Sequence, residues 1–155
     1  MVDQNQSLLD NGNRLPGSSK KNAPYANGRN LANQITFSPA PGAADVCNVT
    51  INLLDGMEDA AAITEGMLCN VWLSDSADGI GLTATTASGT VTPSTGTLFD
   101  TMVAKKALTI QPSALGVIVL EITDSATTGF YVVAQNPSNG QVWVSDQLVA
   151  ADYGS

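Results

Sequence analysis

Residues 108–145 read LTIQPSALGVIVLEITDSATTGFYVVAQNPSNGQVWVS, and this stretch decides the fold class. Four short runs, 108–111, 116–123, 130–135 and 142–145, are rich in Val, Ile, Leu and aromatics, the residues that suit a pleated, half-buried surface. Within each run apolar side chains recur at every second position, as they do when successive side chains point to opposite faces of a strand. The gaps are made of turn formers: Pro112 and Ser113, then 124–128, then Asn136, Pro137, Ser138, Asn139 and Gly140. Strands at ~8 to 12 residue spacing, with no helical segment between them, indicate an antiparallel sandwich or small barrel and argue against a parallel α/β sheet.

The same alternation continues upstream. Cys47, Val49, Ile51 and Leu53 fall on one side of a strand and Asn48, Thr50 and Asn52 on the other. Asp55 and Gly56 close it, and residues 57–65 read as a loop or the one short helix. Met67, Cys69, Val71 and Leu73 repeat the pattern, followed by turn chemistry in DSADG (75–79). A third strand is expected at 82–86 and a short one at 90–92, while 98–103 is ambiguous. The total, about seven or eight strands, describes an all-β fold with a single sandwich domain over residues 43–155.

Residues 1–42 differ. They are rich in Asn, carry Pro16, Pro24, Pro39 and Pro41, and hold no sustained period, so they are expected to form an extended N-terminal arm. Apolar side chains recur along it, among them Leu15, Tyr25, Ile35 and Phe37, together with the bases Arg14, Lys20, Lys21 and Arg29. Four bases against Asp3 and Asp10 give this segment a net charge of +2; two lysines against twelve acids give the remainder −10. Spaced anchors on a polar, mildly basic chain suit a segment that lies on an acidic protein partner. The acidic body and the few scattered bases argue against nucleic acid. No apolar run reaches the length of a membrane span, and the first residues lack a signal-peptide pattern, so synthesis in a cytoplasm with free Cys47 and Cys69 is expected.

Catalytic chemistry finds little support. Histidine is absent, which removes the usual base for a Ser or Cys nucleophile and the commonest metal ligand. Both cysteines fall at inward strand positions, where a thiol packs as a small hydrophobe. Asp75 with Asp78, and Glu58 with Asp59, are loop pairs that read as solvated charge; Asp75 and Asp78 before Gly79 are the one calcium candidate, without EF-hand spacing. No phosphate-cradling glycine motif occurs. The expectation is a protein with no enzyme activity, catalytic residue, metal or cofactor. Trp72, Tyr131, Val133 and Trp143 fall out of phase with Leu73, Phe130, Val132 and Val144. Apolar residues in both phases imply either an oligomer interface on the outer face or a face covered by twist, bulges or the arm.

The 108–145 stretch resembles the last strands of bacterial immunoglobulin-like domains of the invasin type. There a turn residue and Gly lead into an alternating strand, a Thr/Ser-rich turn follows, and an aromatic-led strand comes next. Residues 45–74, DVCNVTINLLDGMEDAAAITEGMLCNVWLS, resemble the opening strands of the same domains, with a longer loop after Asp55. An Asn-rich arm joined to one such domain is similar to the virion proteins of tailed phages, in particular capsid decoration or cement proteins. That resemblance implies a homotrimer on the capsid surface, made in the host cytoplasm and bound to the major capsid protein. Arg14, Leu15, Lys20, Lys21, Tyr25, Arg29, Ile35 and Phe37 would touch the shell or a neighbouring copy, and Trp72, Tyr131, Val133 and Trp143 would join the copies. A head-fibre or tail-associated module that contacts the host surface is the alternative.

Overall fold

Cys47, Val49, Ile51 and Leu53 have no exposed surface, and the residues between them are half-buried, so strand Val46–Leu54 lays one full alternation set into a core. The computed structural model describes residues 32–55, 60 and 67–155; the expected loop or helix at 57–65 and most of the arm lie outside them. The strands are β1 (Gln34–Pro41), β2 (Val46–Leu54), β3 (Cys69–Ser74), β4 (Val91–Thr95), β5 (Thr97–Val103), β6 (Ala107–Gln111), β7 (Val117–Thr123), β8 (Tyr131–Gln135) and β9 (Val142–Gln147), followed by a 3-10 turn at Ala150–Asp152. They form a four-stranded sheet ordered β1-β2-β7-β4 and a five-stranded sheet ordered β9-β8-β3-β6-β5, with every strand pair antiparallel. The protein is an all-β sandwich.

Between the sheets lie Ile51, Leu53, Leu73, Ile110, Ile118, Leu120, Ile122, Val132 and Phe130, all essentially without solvent contact. The strand order is that of an immunoglobulin constant-type domain, with β1-β2-β7-β4 in the places of strands A, B, E and D and β3-β8-β9 in those of C, F and G. The difference is the β5–β6 hairpin. It is inserted between the D-like and E-like strands and extends the second sheet beyond β3. Gly96 makes the switch between sheets possible: its φ is 95°, and a Cβ there would lie 2.9 Å from the Gln111 carbonyl oxygen. Only glycine takes that conformation at no steric cost.

Three expectations are corrected. Residues 34–41 do not belong to an arm: they pair with β2 along their whole length, from Gln34 opposite Leu54 to Pro41 opposite Cys47. Pro39 and Pro41 hid the strand from pattern reading, yet proline is tolerated on an edge strand. The arm boundary at 42 therefore moves to the start of the described chain. Ile35 is 2% exposed in the core and is not available to a partner, while Phe37 is half-buried and packs against the same core. Finally, no strand forms at 82–86. Thr83 is tied to Asp75 instead, Lys106 Nζ donates to the Thr83 and Ala84 carbonyls, and the N–H groups of Thr83 and Ala84 go to the Leu73 carbonyl and to Asp75 Oδ2, so these donors are spent outside any ladder.

The open edges all carry irregularities. β1 ends in its two prolines, β4 contains Pro93 and a register shift, β9 shifts between Val144 and Gln147, and β5 shifts twice, at Leu98/Asp100 and Thr101/Val103. Bulges and prolines on edge strands discourage pairing with another sheet.

Candidate interaction surface

Register across the five-stranded sheet fixes what its outer face displays. Val144 lies opposite Val133, Val133 opposite Trp72, Trp72 opposite Ala107 and Ala107 opposite Val103. These five residues form an apolar row across all five strands. The adjacent row runs Val142, Gln135, Asn70, Thr109, Asp100 and is mostly polar. Its side chains bond to one another: Thr109 Oγ1 donates to Asn70 Oδ1 at 3.0 Å, and Asn70 Nδ2 to Gln135 Oε1 at 3.1 Å.

Half of the apolar row is roofed by the protein itself. The chain leaving β3 folds back over β8 and β9, so that a Cβ on Gly79 would stand 2.8 Å from Val144 Cγ2 and 3.0 Å from Val133 Cγ1. Trp72 Nε1 donates to the Gly79 carbonyl at 3.0 Å. Two carboxylates shape this roof. Asp78 accepts from Ser76 Oγ and Ile80 N, and Asp75 from Thr83 Oγ1 and Ala84 N. Hydrogen bonds of this kind favour the ionised form, and both carboxyls are held below their ordinary value. The calcium candidate is thus a pair of loop staples, and among the described residues no cluster of three or more His, Cys, Asp or Glu side chains could hold a metal ion.

The other half of the row is open. Trp72, Ala107, Val103 and Met102, with Asn70, Gly81 and Leu82, line an open groove of about 400 Å³. Leu82, Met102 and Val103 are 44, 47 and 41% exposed, and Phe99 and Ile80 beside them 67 and 75%. Of the nine exposed large hydrophobics among the described residues, six fall on β5 or on the 80–82 segment, and five of these remain for the groove side once Leu98, opposite the core residue Ile110, is set on the other face. Clustered apolar exposure of this kind marks a surface that meets something else. The flanking turn is braced rather than loose, because Lys105 Nζ donates to the carbonyls of Ala87 and Ser88 while Lys106 holds Thr83 and Ala84.

The outer-face residues expected from the sequence therefore divide. Trp72 is half-buried in the wall of the groove, and Tyr131 is half-buried on the same face. Val133 has no exposed surface, covered by the Gly79 segment, and is not available to a partner. Trp143 is on the opposite side: it pairs with Ala134 and packs against the core, while Val144 takes the outer position. The sequence pattern does not point to Phe99, Met102 and Val103, because the bulges of β5 break the period-two signal, nor to Leu82, which opens a stretch patterned like a strand that does not form. Arg14, Leu15, Lys20, Lys21, Tyr25 and Arg29 lie outside the described residues.

Both cysteines are free and buried. Burial pushes the Cys47 thiol up to about 11, with Asp152 adding to the effect, and the Cys69 thiol, which donates to the Gln135 carbonyl at 3.2 Å, up to about 12. At neutral pH both are thiols, without the thiolate that nucleophilic chemistry needs. Among the described residues no helix is long and apolar enough to cross a membrane.

Gly79 gives a local test of the roof. Its φ of 74° lies in the left-handed region, and a methyl group there would press on Val133 and Val144. Gly79→Ala is expected to lower stability by about 1 to 3 kcal/mol and to alter Trp72 fluorescence, because the indole loses its fixed acceptor. Chemical denaturation followed at the tryptophan band checks both.

Compared with protein-family models, curated proteins and solved structures, the chain matches none. Strand order alone places it among immunoglobulin-like sandwiches.

Proposed function

We propose that this protein is a non-catalytic assembly subunit, a capsid decoration protein of a tailed phage that joins its copies through the open half of the sheet face and binds the major capsid protein through its N-terminal segment. The observation that carries this reading is the concentration of exposed apolar side chains around the Trp72–Val103 groove, on a hairpin added to an otherwise ordinary sandwich. An exposed apolar face is costly to a protein that works alone and useful to one that works in an array. The division of charge, −10 against +2, supports a body that stays soluble and a segment that seeks acidic surfaces.

The mechanism is mechanical. Each subunit that touches two capsomers adds binding free energy to the assembled shell and none to its separated parts, and linked contacts reinforce one another through effective concentration. The test is co-sedimentation with capsids assembled from the major capsid protein of the same phage. The full chain is expected in the capsid pellet; a deletion of residues 2–31, which spares β1, is expected to stay in the supernatant with the circular dichroism spectrum of the folded sandwich. Undiminished pelleting of the deleted protein would remove the role given to the N-terminal segment. No pelleting of the full chain would overturn the reading itself.

A further inference from the structure

We infer that the groove formed by Trp72, Leu82, Met102, Val103 and Ala107 receives the N-terminal segment, residues 1–31, of another copy of this chain. The inference deepens the assembly reading above and rests on it.

Strand addition is a poor explanation for the exposure of β5, because two register shifts interrupt its ladder within seven residues. Symmetric pairing of two β5 strands would also bring the Asp100 carboxylates of both copies toward each other. What remains is side-chain docking into the recess, in which an extended peptide places an apolar side chain in a pocket. Asp100 stands on the row next to the recess, two residues along the sheet from Ala107 through its partner Thr109. At ~3.3 Å per residue that is ~7 Å. The site therefore suits a peptide with a base a few residues from an apolar anchor.

Residues 1–31 carry that pattern three times. Arg14 precedes Leu15, Lys21 precedes Tyr25 by four positions, and Arg29 precedes Leu31 by two. The last spacing puts both side chains on one face of an extended chain about 7 Å apart. The chain length also fits: 31 residues span up to ~100 Å when extended, enough to reach a neighbouring domain.

A neighbour's groove is favoured over the chain's own. Ala32, where the described chain begins, is held by Asn136 Nδ2 in the β8–β9 turn at 3.2 Å, beside the β9 edge of the sheet. The groove lies at the opposite, β5 side. Between them the Gly79 segment sits over Val133 and Val144, so the direct way across this face is occupied. One segment and one groove per copy make a head-to-tail contact, which closes into a ring when the rotation permits; a trimer is one such ring.

The test uses two full-length variants and sedimentation velocity. Val103→Glu places a charge in the groove and leaves the segment intact; the triple change Leu15→Ser, Tyr25→Ser, Leu31→Ser removes the anchors and leaves the groove intact. Wild type is expected to associate, and each variant alone to associate at least tenfold more weakly. An equimolar mixture is expected to form a one-to-one dimer, since one variant supplies the segment and the other the groove. Should Val103→Glu fail to fold by circular dichroism, Leu82→Glu, at a 44% exposed position, replaces it. A monomeric wild type, undiminished association of the triple variant, or a mixture that stays monomeric each overturns the inference. Capsid co-sedimentation is scored separately, so binding to capsids without self-association would remove this inference and leave the assembly reading standing.

Discussion

Phe130→Ala is expected to lower the free energy of unfolding by about 3 to 5 kcal/mol, a large share of the total for a single domain. Phe130 is fully buried and the largest such side chain among the described residues. It precedes β8 at the edge of the core, and its backbone is committed as well: its carbonyl accepts from Leu148 N at 2.9 Å and its own N–H donates to the Thr128 carbonyl. Truncation would remove most of a ring's worth of contacts and leave a cavity between two sheets whose ladders cannot close around it. Phe130→Leu keeps most of the volume and is expected to cost less than half as much. Equilibrium denaturation in urea measures both, and equal losses for the two variants would show that ring volume is not what matters there.

Asp124→Ala is expected to cost roughly 2 to 3 kcal/mol and to flatten the acid limb of stability. Asp124 is 1% exposed and ties three chain segments at one end of the sandwich. Oδ1 accepts from Ser88 N at 2.9 Å, Oδ2 from Thr128 N at 2.8 Å, and its own N–H donates to the Asp45 carbonyl at 2.8 Å. Burial raises its pKa, but the hydrogen bonds from Thr128 and Ser88 outweigh it and the net direction is downward from the ordinary 3.8. A depressed carboxyl stabilises fully above the unfolded value and loses that contribution as pH falls through the folded one. Wild type is therefore expected to lose stability progressively below about pH 4, and the variant to lose less over that interval from a lower starting point. Thermal melts at steps from pH 7 to pH 2.5 measure the slopes; identical slopes would show that Asp124 takes no part in acid unfolding.

Asp75 and Asp78 have the same sign of shift, although they face water and brace only the roof. Acid should therefore loosen the Gly79 segment over Val133 and Val144. Trp72 fluorescence, read in a Trp143→Phe background, reports on that segment and separates this local event from global unfolding.

Period-two alternation by itself determined that the protein is an all-β sandwich, because the parity of side chains along a strand is a local property. It located β2, β3 and β6 through β9 to within a residue or two, and it placed Cys47 and Cys69 inward. Parity does not say which of two apolar sets is the inner one, and a one-residue slip exchanges the faces. Trp143 and Val144 are equally apolar, so only pairing of Trp143 with Ala134 decided that the tryptophan faces the core. Bulges in β5 broke the period where the groove is built, and the prolines of β1 disguised a strand as an arm. The covering of Val133 by Gly79, 54 positions earlier in the chain, is a long-range contact that no local pattern encodes. Residue types thus specified the sheets, while tertiary packing chose which part of the outer face the protein covers with its own chain and which part it leaves open.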